Sequence, residues 1–240
     1  TICLGATRGV LEPFTLARAG IRLRRYLRRA QPAAVHSALA RGYLVAAWAT
    51  GSRSRIRRVA WRRNEGVHLQ GRGAAAKAIE RWAGRRTDVV VANSDAVRTY
   101  WRALLRDSID IRVVPNFIEQ RFFDTHSMCA SSSMDADRAV LVSVGALKPV
   151  KAHEVIIDAC SILRRRGFPV ELVLVGDGQR RVELEKHAET QGVPLQVTGV
   201  VADVLPHLRR STVYVHAATS EGVSNAVIEA MAAGLPTVVP

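Results

Sequence analysis

The 240-residue sequence predicts an α/β protein made of two units, each a parallel sheet covered by helices. Two observations carry this expectation: short runs rich in Val and Ile alternate with helical stretches in both halves, and one serine-rich polar stretch interrupts the alternation near the middle. Parallel strands need a crossover between them, usually a helix, so such alternation is the sequence form of a βαβ array. Strands are read at residues 33–37, 58–61, 88–92 and 111–114 in the first half. In the second half they are read at 139–144, 170–175, 195–198 and 212–216. Helical periodicity runs from Val150 to Arg166 and from Gln179 to Gln191, and no internal repeat is visible beyond the shared architecture.

The stretch from Asp124 to Asp137 lacks any sustained period and reads as an interdomain linker. The expected division is therefore 1–120, a linker at 121–137, and 138–240. The chain opens on Thr1 and stops at Pro240, directly after the strand-like Thr237-Val238-Val239. It is read as an internal fragment in which each unit is incomplete, so a missing leader at the visible start carries no information.

Charge is uneven. Residues 1–120 hold 23 Arg and Lys against 8 Asp and Glu, while the remainder holds 12 against 13. Such a basic half suits anionic lipid head groups, lipid diphosphates or nucleic acid, although Arg-rich and Ala-rich composition also follows from a genome rich in G and C. Nucleic acid is disfavoured, because no recognition motif is present and few aromatic residues interleave with the basic ones. Residues 16–27 present an apolar face, with Arg22, Arg24, Arg25, Arg28 and Arg29 in and just beyond them. That pattern fits a surface helix packed on the sheet, or a contact with a membrane. No apolar run reaches the roughly 18 residues of a membrane span. Cys3, Cys129 and Cys160 are scattered, which suggests a reducing compartment and small-hydrophobe roles. No His/Cys/Asp/Glu cluster at metal spacing is apparent, and no Asp-x-Asp is read as holding a metal-bound nucleotide, Asp135-Ala-Asp137 falling in the linker stretch, so no metal and no cofactor are expected.

The segment Glu221-Gly-Val-Ser-Asn-Ala-Val-Ile-Glu229-Ala-Met-Ala-Ala-Gly234-Leu-Pro236 reads as loop, short helix and stop. Ser224 or Asn225 can cap the helix, Gly234 fits a left-handed end and Pro236 forbids continuation. Free amides around Gly222, Val223, Ser224 and Asn225 would sit at the positive end of the helix dipole, a seat for phosphate. Glu221 and Glu229 are then at most ~12 Å apart by helical rise, the scale of a sugar-diphosphate-ribose unit. Taken alone, the pair could equally be two solvated glutamates.

This string resembles the Glu-x7-Glu, Ala-Met-Ala-x-Gly-x-Pro-x-Val signature of the retaining glycosyltransferases of group 1 (family 4 type). The resemblance implies two Rossmann-like domains facing a cleft (GT-B type), the first on the acceptor side and the second holding a nucleotide diphosphate sugar. It also implies that Glu221 meets the donor sugar and Glu229 the ribose. The loop Gly145-Ala-Leu-Lys148-Pro-Val-Lys151 looks like the family's Gly-Arg-Leu-x-x-x-Lys-Gly, in which Arg and Lys neutralise the leaving diphosphate. Lys151 matches the Lys, Ala146 stands where the Arg is usual, and Lys148 lies near enough to contribute a point charge. Gly176-Asp-Gly178 resembles a turn that lets a nucleotide approach the backbone, and reads equally as a plain strand-to-helix turn. Arg180 and Arg181 follow it. In the first half, His36 and Ser94 match strand-end positions facing the cleft, with a hydrogen-bonded structural role equally open for His36, and Arg63 and Asn64 match a loop near the reacting sugars.

The implied activity is retaining, metal-independent sugar transfer to a hydroxyl acceptor, lipid-linked acceptors included, in cell-envelope polysaccharide or glycolipid synthesis. Lys151 and Glu221 would be its catalytic residues. The implied location is the cytoplasm, at the inner face of the plasma membrane. Two other readings stay open: a nucleotide-sugar epimerase of the same fold, and a non-catalytic membrane-associated binding protein.

Overall fold

The computed structural model describes residues 13–51, 55–63, 73–105, 109–124, 138–219 and 223–240. The chain divides into two compact units, Thr1–Asn116 and Phe117–Pro240.

In the first unit the described elements are α1 (Pro13–Ala30), β1 (Ala34–Ala38), α2 (Leu39–Thr50), β2 (Arg57–Arg62), α3 (Ala74–Gly84), β3 (Val89–Ala92), α4 (Asp95–Leu105) and β4 (Asp110–Val113). The strands are all parallel, in the order β1-β2-β3-β4. Because each crossover steps the same way and crossovers are right-handed, the connecting helices stack on one face. Ser37, Ala60, Val90 and Ile111 lie in register across the sheet, and all four are buried. Tyr43, Ala47, Ala83, Val97 and Trp101 complete the helix-side core.

A charged clamp sits inside this core. Arg62, the last residue of β2, is 5% exposed and donates to Glu80 of α3 at 2.8 Å. Its guanidinium lies 3.7 Å from the ring centre of Tyr43 on α2 and 4.0 Å from that of Trp101 on α4. One planar cation thus joins three helices to a strand end, as the flat, weakly hydrated guanidinium allows. Removing one member of such a pair strands the other charge without its partner.

The second unit opens with a 3-10 turn, Gln120–Phe122, followed by β5 (Ala139–Val144), α5 (His153–Arg165), β6 (Val170–Val175), α6 (Arg181–Thr190) and β7 (Leu195–Val197). Then come α7 (Leu205–Arg209), β8 (Val213–Val215), α8 (Asn225–Ala232) and β9 (Thr237–Val238). This sheet is also parallel, but its order is β7-β6-β5-β8-β9. The chain steps outward from β5 to β7, then returns past β5 to β8 and β9, so helices cover both faces. Leu141, Leu172 and Leu174 pack with Ile156, Ile157 and Leu184 of α5 and α6. Val142 and Tyr214 pack with Leu205, Leu208 and Ala230 of α7 and α8.

Strand boundaries differ from the sequence reading by at most one residue at any end. The helical run expected from Val150 is broken, because Pro149–Lys151 forms a 3-10 turn and Ala152 takes a left-handed conformation (φ 47°) before α5 begins. Residues 121–124, the start of the expected linker, pack with the second unit: Phe122 is 3% exposed within its core. Positions 125–137 lie outside the described residues. Helix α8 ends as anticipated, with Gly234 at φ 80° and the Leu235 and Gly234 amides bonded to Ala230 and Met231 carbonyls.

Glu80→Ala is expected to lower unfolding free energy by about 3–5 kcal/mol in urea titrations. Replacing Arg62 and Glu80 together by Met and Leu should recover most of that loss.

Candidate functional site

In an open parallel sheet, ligands bind beyond the carboxyl ends of the strands, where the strand order reverses. In the second unit that point lies between β5 and β8. The loop after β5 (residues 145–152) meets the segment after β8, where the Thr219 amide donates to the Val150 carbonyl at 3.0 Å.

The β5 loop is held from its other side by the loop after β6. Gly145 donates its amide to Val175, Leu147 donates to Asp177, and the Leu147 carbonyl accepts from Arg180, at 2.9, 3.0 and 3.2 Å. A Cβ added to Gly176 would collide with the Gly145 carbonyl, and one on Gly178 with that of Leu147. The room left by these glycines, anticipated as a place for a nucleotide to approach, is filled by the neighbouring loop. Their physical role in this structure is to hold the lysine-bearing loop.

Lys151 folds back over that loop: a Cβ on Gly145 would lie 3.4 Å from its Cε and 3.7 Å from Nζ. Its ammonium is therefore brought to the end of β5. Lys148 and Ala146 are exposed, and the Lys148 carbonyl accepts the Lys151 amide at 3.0 Å. Ala152 holds the left-handed turn, a conformation that costs an L-residue roughly 1–2 kcal/mol. Arg180 and Arg181 are engaged elsewhere, Arg180 with Glu154 and Glu183, and Arg181 with Glu185 and Asp177.

His153, the first residue of α5, is 2% exposed, and its Nδ1 has no hydrogen-bond partner among the described residues. Burial, reinforced by the charge of Lys151, pushes its pKa down to about 4. The imidazole is therefore neutral near pH 7.

At the start of α8, Val223 and Asn225 are exposed and Ser224 is half-buried. Ser224 is the N-cap but makes no side-chain cap bond. Glu229 is half-buried one turn into the helix, and burial raises its pKa. Arg121 draws it back down and Glu119 adds to the rise. Arg121 is itself held by Glu119 and Asp203 at 2.8 and 2.9 Å. Glu221 and Gly222, and in the first unit Asn64, lie outside the described residues.

His36 occupies the middle of β1 rather than its end, exposed, with Nδ1 accepting from the Trp61 indole at 3.1 Å. The alternation of a strand places it on a sheet face, and the indole bond accounts for its polarity. Ser94 accepts the Val97 amide at 3.3 Å and caps α4. Arg63 is exposed just beyond β2. The sequence does not single out Asn93, which follows β3, is 6% exposed and has neither side-chain polar atom paired among the described residues. Buried amides are normally satisfied by protein, water or ligand, so Asn93 is a candidate polar contact at this strand end. No spacing rule singles out such a residue in a sequence. Cys160 is buried with its pKa pushed up to about 11, as an inert small hydrophobe requires. Among the described residues, no group of three or more His, Cys, Asp or Glu is placed to hold a metal, and no helix is long and apolar enough to cross a membrane.

His153, with its folded pKa depressed below the unfolded value near 6.5, contributes stability that is fully present above pH 6.5. That contribution is lost as pH falls toward 4. His153→Gln should flatten this part of the stability profile, by about 3 kcal/mol at most, in urea midpoints measured from pH 7 to 4.

A family model described as glycosyl transferases group 1 matches residues 138–240, and one described as glycosyltransferase family 4 matches residues 8–122. A Xenopus tropicalis GDP-Man:Man(3)GlcNAc(2)-PP-Dol alpha-1,2-mannosyltransferase is 28% identical over 169 residues, covering 64% of this chain and 34% of that protein. The GDP-mannose-dependent alpha-(1-6)-phosphatidylinositol monomannoside mannosyltransferase of Mycobacterium tuberculosis (strain CDC 1551 / Oshkosh) is 26% identical over 178 residues. That match covers 68% of this chain and 46% of that protein. The chain thus spans about a third to a half of the length of these curated relatives. Among solved structures, Anabaena HepE in complex with UDP-glucose superposes with a TM-score of 0.74 at 18% identity, over 94% of this chain and 64% of that one. That likeness is one of fold.

Proposed function

The chain belongs to the group 1 glycosyltransferases, and on that premise we propose that it serves sugar transfer from a nucleotide diphosphate sugar to an acceptor hydroxyl. The observation that carries this reading is the return of Lys151 to the end of β5, at the strand-order reversal where α/β sheets bind phosphates. In this account Lys151 and the amides of Val223, Ser224 and Asn225 neutralise the diphosphate as the bond from the anomeric carbon to its oxygen breaks. Glu229 accepts hydrogen bonds from the ribose, and Glu221 positions the donor sugar. The acceptor oxygen forms the new bond on the face the diphosphate leaves, its proton passes to a phosphate oxygen, and the anomeric configuration is retained. Protein cations and helix amides perform this neutralisation without a metal.

The first unit serves the acceptor, with Asn93 and Asn64 as polar contacts. Relatives whose named substrates are a dolichol diphosphate and a phosphatidylinositol glycolipid favour a lipid-linked acceptor in cell-envelope or glycolipid synthesis. In this reading the protein works at the inner face of the plasma membrane. The exposed Ala146 supports a second reading, a member that binds the donor without turning it over.

Lys151→Ala should weaken binding of UDP or GDP, measured calorimetrically, by roughly tenfold or more, the worth of one charge-assisted hydrogen bond. Glu229→Ala should weaken nucleotide binding while leaving that of inorganic pyrophosphate unchanged. A loss below threefold for Lys151→Ala would remove the phosphate assignment. Donor hydrolysis or transfer by a chain extended at both ends separates the catalytic reading from the binding one.

A further inference from the structure

Helix α1 carries six arginines, at 18, 22, 24, 25, 28 and 29, and no acidic residue. Ala17, Ile21, Arg24 and Arg28 follow the i, i+4, i+7, i+11 spacing of a single helical stripe, and all four are exposed. At its start the stripe borders an apolar groove of about 290 Å³ lined by Leu16, Ala17, Trp48, Ile79 and Trp82, from α1, α2 and α3. At its end it borders a hollow of about 560 Å³ lined by Arg24, Arg28, Arg55 and Thr50. On α2 the same succession appears, Trp48 in the groove and Ala49 and Thr50 in the hollow, so the two concavities adjoin along the α1–α2 seam.

The surface is apolar at one end and cationic at the other. Ile79, Trp48 and Trp82 are 51%, 42% and 37% exposed. Arg86 lies 4.4 Å over the Trp82 ring, so the groove is edged by an aromatic and cation pair of the kind that favours a lipid interface. Arg24, Arg28 and Arg55 pair with no carboxylate among the described residues. Trp48 is fixed from beneath, since a Cβ on Gly20 would collide with its ring.

We propose that the α1–α2–α3 seam is the docking face for an anionic phospholipid bilayer, with Trp48, Ile79 and Trp82 entering the interface and Arg24, Arg28 and Arg55 meeting lipid phosphates. Charge complementarity selects this occupant, because an unpaired arginine group beside exposed tryptophans suits a phosphate layer over hydrocarbon. The inference gives a named surface to the membrane location in the functional reading above, and its test is independent of donor binding.

The test is flotation of the 240-residue chain with vesicles of phosphatidylcholine, with and without phosphatidylglycerol. The chain should float with the anionic vesicles and not the neutral ones, and inorganic phosphate exchanged for chloride at constant ionic strength should not release it. Arg24→Glu with Arg28→Glu should lower the apparent affinity roughly tenfold or more, and Ile79→Asp roughly tenfold. Arg209→Glu with Arg210→Glu in the second unit, the same change in net charge, should have little effect. All variants should keep the parent affinity for UDP or GDP, which reports on the donor site alone. The proposal is overturned by equal binding to neutral vesicles, by an equal loss in the second-unit control, by release with phosphate, or by no flotation of the parent chain.

Discussion

Everything the second unit offers to chemistry depends on the close approach of two loop backbones. Leu147 is fully buried and bonded to the β6 loop through both its amide and its carbonyl, and Gly176 and Gly178 are the residues without which that approach would not fit. The clamp fixes the loop from which Lys151 turns back, and the strained Ala152 directs the chain from that turn into α5. A surface lysine on an unsupported loop would lose much of its charge effect to side-chain freedom and to water. Here the β6 loop on one side and the Thr219 segment on the other restrict the loop, and neutral His153 adds no competing cation.

The first unit meets a comparable demand for rigidity by burying charge. Its strands run in simple sequential order, so all its crossover helices share one face, and Arg62 with Glu80, Tyr43 and Trp101 locks them from within. Internal locking leaves the outer helix surfaces able to carry exposed tryptophan and unpaired arginine, which a helix held only by its apolar stripe could less readily spare. The strongly basic balance of residues 1–120 thus has two physical parts. Arg62 and Arg58 are tied into the structure, Arg58 through Asp88, whereas the arginines of α1 are displayed to solvent.

The strands are readable to within a residue because short β-rich runs stand out between helical stretches, most clearly in β5 and β6, Ala-Val-Leu-Val-Ser-Val and Val-Glu-Leu-Val-Leu-Val, whose sheet is covered on both faces. Helices α2, α3 and α4 were not located in advance. Helix α2, Leu-Ala-Arg-Gly-Tyr-Leu-Val-Ala-Ala-Trp-Ala-Thr, is apolar nearly all round and lacks the one-sided period that identifies a surface helix. The break at Ala152 was hidden because alanine is a strong helix former, and its left-handed conformation is imposed by the loop contacts around it. For the site, Lys151 and the helix start at Ser224 could be placed from motif and caps. The loop packing of Gly176 and Gly178, the mid-strand position of His36 and the unpaired amide of Asn93 depend on neighbours remote in sequence, which no local pattern encodes.

A crystal structure of the chain soaked with UDP and with GDP tests the central claim most directly. The account predicts a diphosphate between Lys151 and the first turn of α8, with phosphate oxygens roughly 3 Å from the lysine Nζ and from the amides near Ser224 and Asn225. A nucleotide bound with its diphosphate away from Lys151, or no nucleotide at the β5–β8 reversal, would contradict it.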